Sequence, residues 1–399
     1  MTLSRNSFVA LAAAVALVPT AFADPADPPR SGKYWVYIGT FTSKGGSEGI
    51  YRCELDVKTG ELSKPDLAAK VASPSFLAVS PNSKFLYSVG EAAGGKNNNE
   101  GMVHAYAIDA ATGMLEKLND KPSGGAGPTH LSVNHTGRYA LVANYGSGSC
   151  AIYGLRGDGS LGERTDFRQH QGKGVNKQRQ EGPHAHCALF VESGGSEFAY
   201  VVDLGLDKVF SYRLAPETGK LTPTEPGFVK LPDGSGPRHI AIDKSSGKAY
   251  VCGELDSTLN TLRWDRNTGV LEPSRIAAAS TLPDRTSEAV RKKNSTAEVV
   301  VHPSNGYVLV SNRGHDSLAV FKVSVESTQL VAHITGAGER TVRTPRNFNV
   351  DPTGRWVLIA NQDGGTVRVA EWDATGNGKL TASKAEVSRP VCVKFVEKP

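Results

Sequence analysis

The 399-residue chain carries 45 Lys and Arg against 40 Asp and Glu, and its net charge of +5 is mild for that length. The basic residues are spread along the chain and the cluster Arg291-Lys292-Lys293 is short, which argues against nucleic-acid binding. The five cysteines (Cys53, Cys150, Cys187, Cys252 and Cys392) are odd in number and have no metal-ligand spacing. Most sit in apolar strand patterns, where a buried thiol behaves as a small hydrophobe.

The chain opens with basic Arg5, an apolar run over residues 8–18, and the small-x-small signal Ala21-Phe22-Ala23 before Asp24. This pattern predicts a secretory signal peptide over 1–23, cleaved after Ala23, and a periplasmic or secreted mature protein. Cleavage removes Arg5 and leaves a charge of +4. No later run is long and apolar enough to predict a membrane span. Residues 24–33 read as a flexible lead-in to one domain over 34–399.

From there the chain repeats itself. Segments that begin with Pro and run into alternating apolar residues recur at Pro74, Pro128, Pro183, Pro237, Pro345 and Pro390, with a seventh at Ala297. Turns of the type Thr59-Gly60-Glu61-Leu62 recur with the same period, about 50 residues, at Gly113, Gly159, Gly219, Gly269 and Gly378. Ser327-Thr328-Gln329-Leu330 is a degraded copy. Residues 345–372 show one unit: an alternating strand, the turn Asp351-Pro352-Thr353-Gly354, a continuous apolar strand over 356–360, the turn Asp363-Gly364-Gly365, and a third strand. A fourth strand follows the Gly-Leu turn. Seven four-stranded antiparallel units predict an all-β, seven-bladed β-propeller. The chain starts at residue 34 with what aligns as a second strand and ends at 389–395 with a first strand, so the last segment completes the first blade.

In a propeller the start of each first strand and the end of each second strand share one rim. The first-strand starts carry His130, His184 with His186, Arg238 with His239, Glu298 and Arg346; the second-strand ends carry Glu91, Asn144, Asp203, Glu254, Asn312 with Arg313, and Asn361. The opposite ends hold ordinary turn residues. One mouth of the channel therefore gathers His, Arg and carboxylates. Three guanidiniums repel one another unless anions lie between them, so Arg238, Arg313 and Arg346 read as anchors for an anionic ligand. His184 and His186 suit proton transfer beside those arginines better than metal ligation, so no metal and no cofactor is expected.

Gly182-Pro183-His184-Ala185-His186, Gly236-Pro237-Arg238-His239, Gly253-Glu254-Leu255, Ser311-Asn312-Arg313-Gly314 and Pro345-Arg346-Asn347-Phe348 occur in an order that resembles the lactonase family of seven-bladed propellers. That family includes bacterial 6-phosphogluconolactonases and fungal 3-carboxy-cis,cis-muconate lactonizing enzymes. The resemblance covers nearly the whole mature chain. It implies catalysis by His184 or His186 with Glu254, and an anion held by Arg238, Arg313 and Arg346, with His130 and Glu298 on the same rim. Gly253 departs from the Asn usual in the family. The function expected is metal-independent hydrolysis of a small, anionic or sugar-derived lactone. The alternatives are a cycloisomerase-type lactonizing enzyme and a non-enzymatic binding propeller of the cell envelope.

Overall fold

The computed structural model describes residues 32–43, 46–91, 100–304, 306–338, 340–373 and 375–399. The expected leader, 1–23, and residues 24–31 of the expected lead-in lie outside these. The first strand begins at Lys33.

Seven antiparallel sheets make seven blades. Blade one pairs the C-terminal strand Pro390–Glu397 with Lys33–Thr40 in the register Tyr34↔Glu397 to Thr40↔Pro390. The ring is thus closed by hydrogen bonds between the two ends of the domain. The innermost strands are Pro390–Glu397, Leu77–Val79, Pro128–Val133, Ala185–Ser193, Pro237–Asp243, Ser295–Val301 and Pro345–Val350. Each packs against the next, and the seventh against the first. Among the described residues there is one short helix, Glu288–Lys293, capped by Ser287. All five cysteines are buried and unpaired.

The second strands are buried on both faces, as their apolar runs predict: Trp356–Asn361 and Tyr139–Asn144 are buried throughout. The repeated Gly turns explain how neighbouring blades lock together. In five blades the glycine lies between the third and fourth strands and packs on an aromatic at the start of the second strand of the blade before; in blade seven Gly376 does so against Tyr307, while Gly378 begins the fourth strand. Gly113 meets Trp35, Gly159 meets Phe85, Gly219 meets Tyr139, Gly269 meets Phe198, and Gly60 meets Trp356. The degraded copy in blade six has no glycine. Its partner in blade five is not aromatic either: buried Lys248 donates from Nζ to Val325 O at 2.9 Å and to Ser324 O. A charge-assisted bond to carbonyls replaces the ring contact.

At Gly219 the backbone has φ +67, and a Cβ would lie 2.4 Å from the Tyr139 ring. Gly219→Ala should therefore destabilise the protein by roughly 1–3 kcal/mol through strain and overpacking. The turn is at the end of the blade away from the arginine-rich mouth, so catalytic constants should not change. Urea unfolding together with kinetics checks both halves of this expectation.

Candidate active site

The strand registers place first-strand starts and second-strand ends on one rim. Pro128 stands opposite Asn144, Pro237 opposite Gly253, and Pro345 opposite Asn361. Immediately after these pairs the inner strands bulge. Thr129 and Arg346 are each the extra residue of a bulge, and in blade five Arg238 and His239 together oppose one residue. A bulge re-aims side chains, and here it does so toward the channel in blade after blade.

Two blades depart from the expected alignment. In blade four Ala185, not Pro183, stands opposite Asp203, so His186 is the bulged residue and His184 precedes the strand. His186 therefore takes the place that Thr129, Arg238 and Arg346 take in their blades. In blade six Thr296 stands opposite Asn312, so Ala297 takes that place and Glu298 falls one layer deeper, level with His130, His239 and Asn347.

A cavity of about 350 Å³ opens at this mouth, lined by Glu91, Thr129, Tyr145, Arg179, His186, Glu254, Ser295, Arg313 and Arg346. Glu254 organises it. Its carboxylate lies 2.9 Å from Arg238 Nε, 3.0 Å from Arg313 Nη2 and 2.8 Å from Arg179 Nη2. Burial pushes the Glu254 carboxyl up, but Arg313, Arg238 and Arg179 outweigh it and hold it down at about 2. Glu254 is therefore ionised at neutral pH. Among the described residues no carboxylate forms an ion pair with Arg346: it bonds to Gln362 Oε1 at 3.4 Å and stacks over Phe41 at 5.0 Å. Burial, with Arg238 and Arg313 close by, pushes its pKa below its ordinary value.

The two histidines of the Gly-Pro-His-Ala-His segment differ. His184 stacks on Tyr145 at 4.6 Å, donates from Nδ1 to Tyr145 O at 3.0 Å, and has Nε2 3.0 Å from Glu181 Oε1. Both its nitrogens are engaged and it does not line the cavity. His186 lines it, edge-on to Tyr145. Burial, then Arg238, His239 and Arg346, hold His186 well below the usual imidazole range, so it is neutral. Of the expected site residues, His184, His130, Glu298 and Arg238 are thus outside the cavity wall, Arg238 lying behind Glu254. Glu298 accepts from His239 Nδ1 at 2.8 Å, and His130 packs against Phe76 at 4.0 Å. Among the described residues no group of three or more His, Cys, Asp or Glu has an arrangement that could hold a metal ion.

Four wall residues escaped the sequence reading: Thr129 and Ser295, which lie beside the chosen rim positions, and Tyr145 and Arg179. Tyr145 follows Asn144 directly and supplies a ring to both histidines. Arg179 comes from the connection between blades three and four, which the rim positions do not include. Buried Gln180 pins that connection, donating to Leu204 O at 2.9 Å and Asp207 Oδ1 at 2.8 Å. The 15-residue span between the strands ending at Gln169 and starting at Ala185 was the available signal. At Gly253 a Cβ would lie 2.1 Å from Asp256 Oδ1, so the Asn usual in the family requires the Asp256 side chain to move.

A propeller whose mouth joins a neutral imidazole to an arginine-rich cavity defines a class, and the chain belongs to it. Residues 35–395 match the family described as Lactonase, 7-bladed beta-propeller. The chain is 38% identical to the 6-phosphogluconolactonase of Bacillus subtilis over 368 residues, covering 91% of this chain and 99% of that one. It is 27% identical to the 6-phosphogluconolactonase of Formosa agariphila, over 86% and 94% of the two chains. The structure of a periplasmic gluconolactonase from Pseudomonas aeruginosa superposes with a TM-score of 0.82 at 31% identity, over 92% of this chain and 100% of that one. The protein is a lactone hydrolase, a carboxylic-ester hydrolase by class.

Glu254 has an acid-side signature. A carboxyl held at about 2 rather than its ordinary 4.5 contributes stability that is complete above pH 4.5 and is lost as pH falls toward 2. Glu254→Gln removes that contribution and leaves three guanidiniums unbalanced. Unfolding at pH 7 should show a loss of roughly 3–5 kcal/mol, recovered in part by added sulfate. The stability gap between variant and wild type should narrow as pH is lowered below 4.5.

Proposed function

We propose that His186 is the general base of a lactonase acting on a sugar lactone, and that the arginines stabilise the negative charge the reaction creates. The observation that carries this reading is the pairing of one neutral imidazole with a surplus of cations around the cavity and the small void next to it. Arg179, Arg238, Arg313 and Arg346 face two carboxylates, Glu91 and Glu254. His186 takes a proton from a water as that water attacks the lactone carbonyl. The oxyanion forms against the guanidiniums. The ring C–O bond then breaks, and the imidazolium returns the proton to the leaving alkoxide. Glu254, ionised and held by three arginines, positions those arginines and exchanges no proton. His184 supports Tyr145 and lies outside the chemistry.

The surplus positive charge does not require a charged substrate, because hydrolysis itself generates an oxyanion and then a carboxylate. Charge that appears in the transition state is where binding energy accelerates a reaction. An unphosphorylated aldonolactone satisfies the cavity by reacting.

The expected test substrate is D-glucono-1,5-lactone, followed by pH-stat with the spontaneous rate subtracted. His186→Gln should lose about 10²–10⁴-fold in kcat/KM, and His184→Gln much less. In wild type the acid limb of kcat/KM should fall below pH 6.5, because the base works only above its own lowered pKa. Wild-type turnover by His186→Gln would overturn the assignment.

The working compartment is proposed on the leader. The apolar run 8–18 and Ala21-Phe22-Ala23 support export, which would keep the enzyme from phosphorylated intermediates of the cytoplasm. Mass spectrometry of protein from the periplasmic fraction of a Gram-negative host should find a mature chain starting at Asp24. An intact Met1 there would contradict it.

A further inference from the structure

Beneath the catalytic cavity lies a second void of about 10 Å³, whose walls include Ser75, His186, Arg238, His239 and Asn347. Three of these residues carry a buried polar atom without a protein partner: Ser75 Oγ, His186 Nδ1 and His239 Nε2. Arg238 Nε is accounted for by Glu254 at 2.9 Å. The His186 and His239 rings are 5.2 Å apart, and both residues are more than nine-tenths buried. A buried polar atom left unpaired costs about 1–3 kcal/mol, so three around one small void need a partner. A void of roughly 10–15 Å³ holds one water, which makes about three hydrogen bonds.

Behind His239 the network is complete. His239 Nδ1 donates to Glu298 Oε1 at 2.8 Å, Asn347 Nδ2 donates to Glu298 Oε2, and Asn347 Oδ1 accepts from Val393 N at 2.8 Å. A carboxylate only accepts, so His239 carries its hydrogen on Nδ1 and presents a lone pair at Nε2. Burial keeps His239 below its ordinary pKa despite Glu298.

We infer that this void binds one water molecule, and that through it the Glu298–His239 pair sets the tautomer and raises the basicity of His186. The inference rests on the reading of His186 as the base. The water donates to His239 Nε2 and to Ser75 Oγ and accepts from His186 Nδ1–H. His186 Nε2 is then left with the lone pair that attacks the substrate water's proton. When Nε2 is protonated, Nδ1–H stays bonded to the buried water, which is polarised toward Glu298. No proton leaves His239. His239, Glu298 and Ser75 are positioning residues, since none touches substrate. The other charged or titratable groups facing the pair are Arg238 in blade five, Arg346 in blade seven, Lys394 in blade one, His130 in blade three and Glu91 in blade two. Glu254 faces His186 across the upper cavity.

A crystal structure of the wild-type protein should show an ordered water about 2.6–3.2 Å from both His186 Nδ1 and His239 Nε2. Glu298→Gln should lower kcat/KM roughly 10–100-fold with KM little changed. It should also move the acid limb to lower pH, because losing the negative charge weakens the base. Ser75→Ala, a small change that keeps the fold, should weaken the water density and lower kcat. A dry void in wild type overturns the inference whether or not the variants fold, and so does a Glu298→Gln variant whose acid limb stays in place. Full activity in His186→Gln would instead remove the assignment of the base. Loss of activity in His186→Gln with an unmoved limb in Glu298→Gln removes the relay alone.

Discussion

The carboxylate of Glu254 lies against guanidiniums from three separate parts of the chain: Arg238 beside it in blade five, Arg313 from blade six, and Arg179 from the connection between blades three and four. Like charges gathered at one cavity repel, and a group of opposite sign at their centre lets them coexist. The geometry of the mouth follows from that requirement. Arg346, farther round the ring, pairs with no carboxylate among the described residues, and the cavity keeps a cationic surplus on the side that faces His186. A charge distribution fixed before substrate arrives needs no reorganisation when the oxyanion forms, which is why preorganised dipoles and ions accelerate acyl transfer more than mobile ones do.

Holding that arrangement requires a frame that does not relax. The closure of Lys33–Thr40 on Pro390–Glu397 makes the blade order cyclic, so no inner strand can shift without displacing two neighbours. The bulges at the strand starts then turn individual side chains out of the regular alternation. Pleat alone would send successive residues to opposite faces. A bulge presents Thr129, His186, Arg238 and Arg346 from four blades toward one axis while the ladder resumes below them.

Much of this was legible in the chain. The period, the alternation within each unit and the offset between first and last strands determine the propeller and its closure. The choice of rim residues identified Glu254, Arg238, Arg313, Arg346 and His186. What escaped depends on single-residue shifts that pattern cannot register. The Pro183 motif looks like the other Pro motifs, yet the bulge falls two residues later, and that shift alone separates a cavity-facing His186 from a His184 occupied by Tyr145 and Glu181. Glu298 likewise slips one layer down because blade six sets Thr296, not Ala297, opposite Asn312. Arg179 was invisible for a different reason: it belongs to a connection, and only Gln180 and its buried partners decide where that connection lies.

The two ends of the blades are under different packing constraints, and the sixth copy of the turn makes the point. At the end away from the mouth, a Gly turn fits against the aromatic of its neighbour. Where the glycine is gone the ring is gone too, and Lys248 satisfies the exposed carbonyls of Ser324 and Val325 instead. At the mouth the contacts between blades are made by charged and polar side chains instead, Glu254 of blade five with Arg313 of blade six and His239 of blade five with Glu298 of blade six. A ring of repeats therefore separates stability from chemistry spatially. The stapled end supplies the packing that offsets the desolvation of Glu254 and its arginines, and the mouth is left free to hold different residues in every blade.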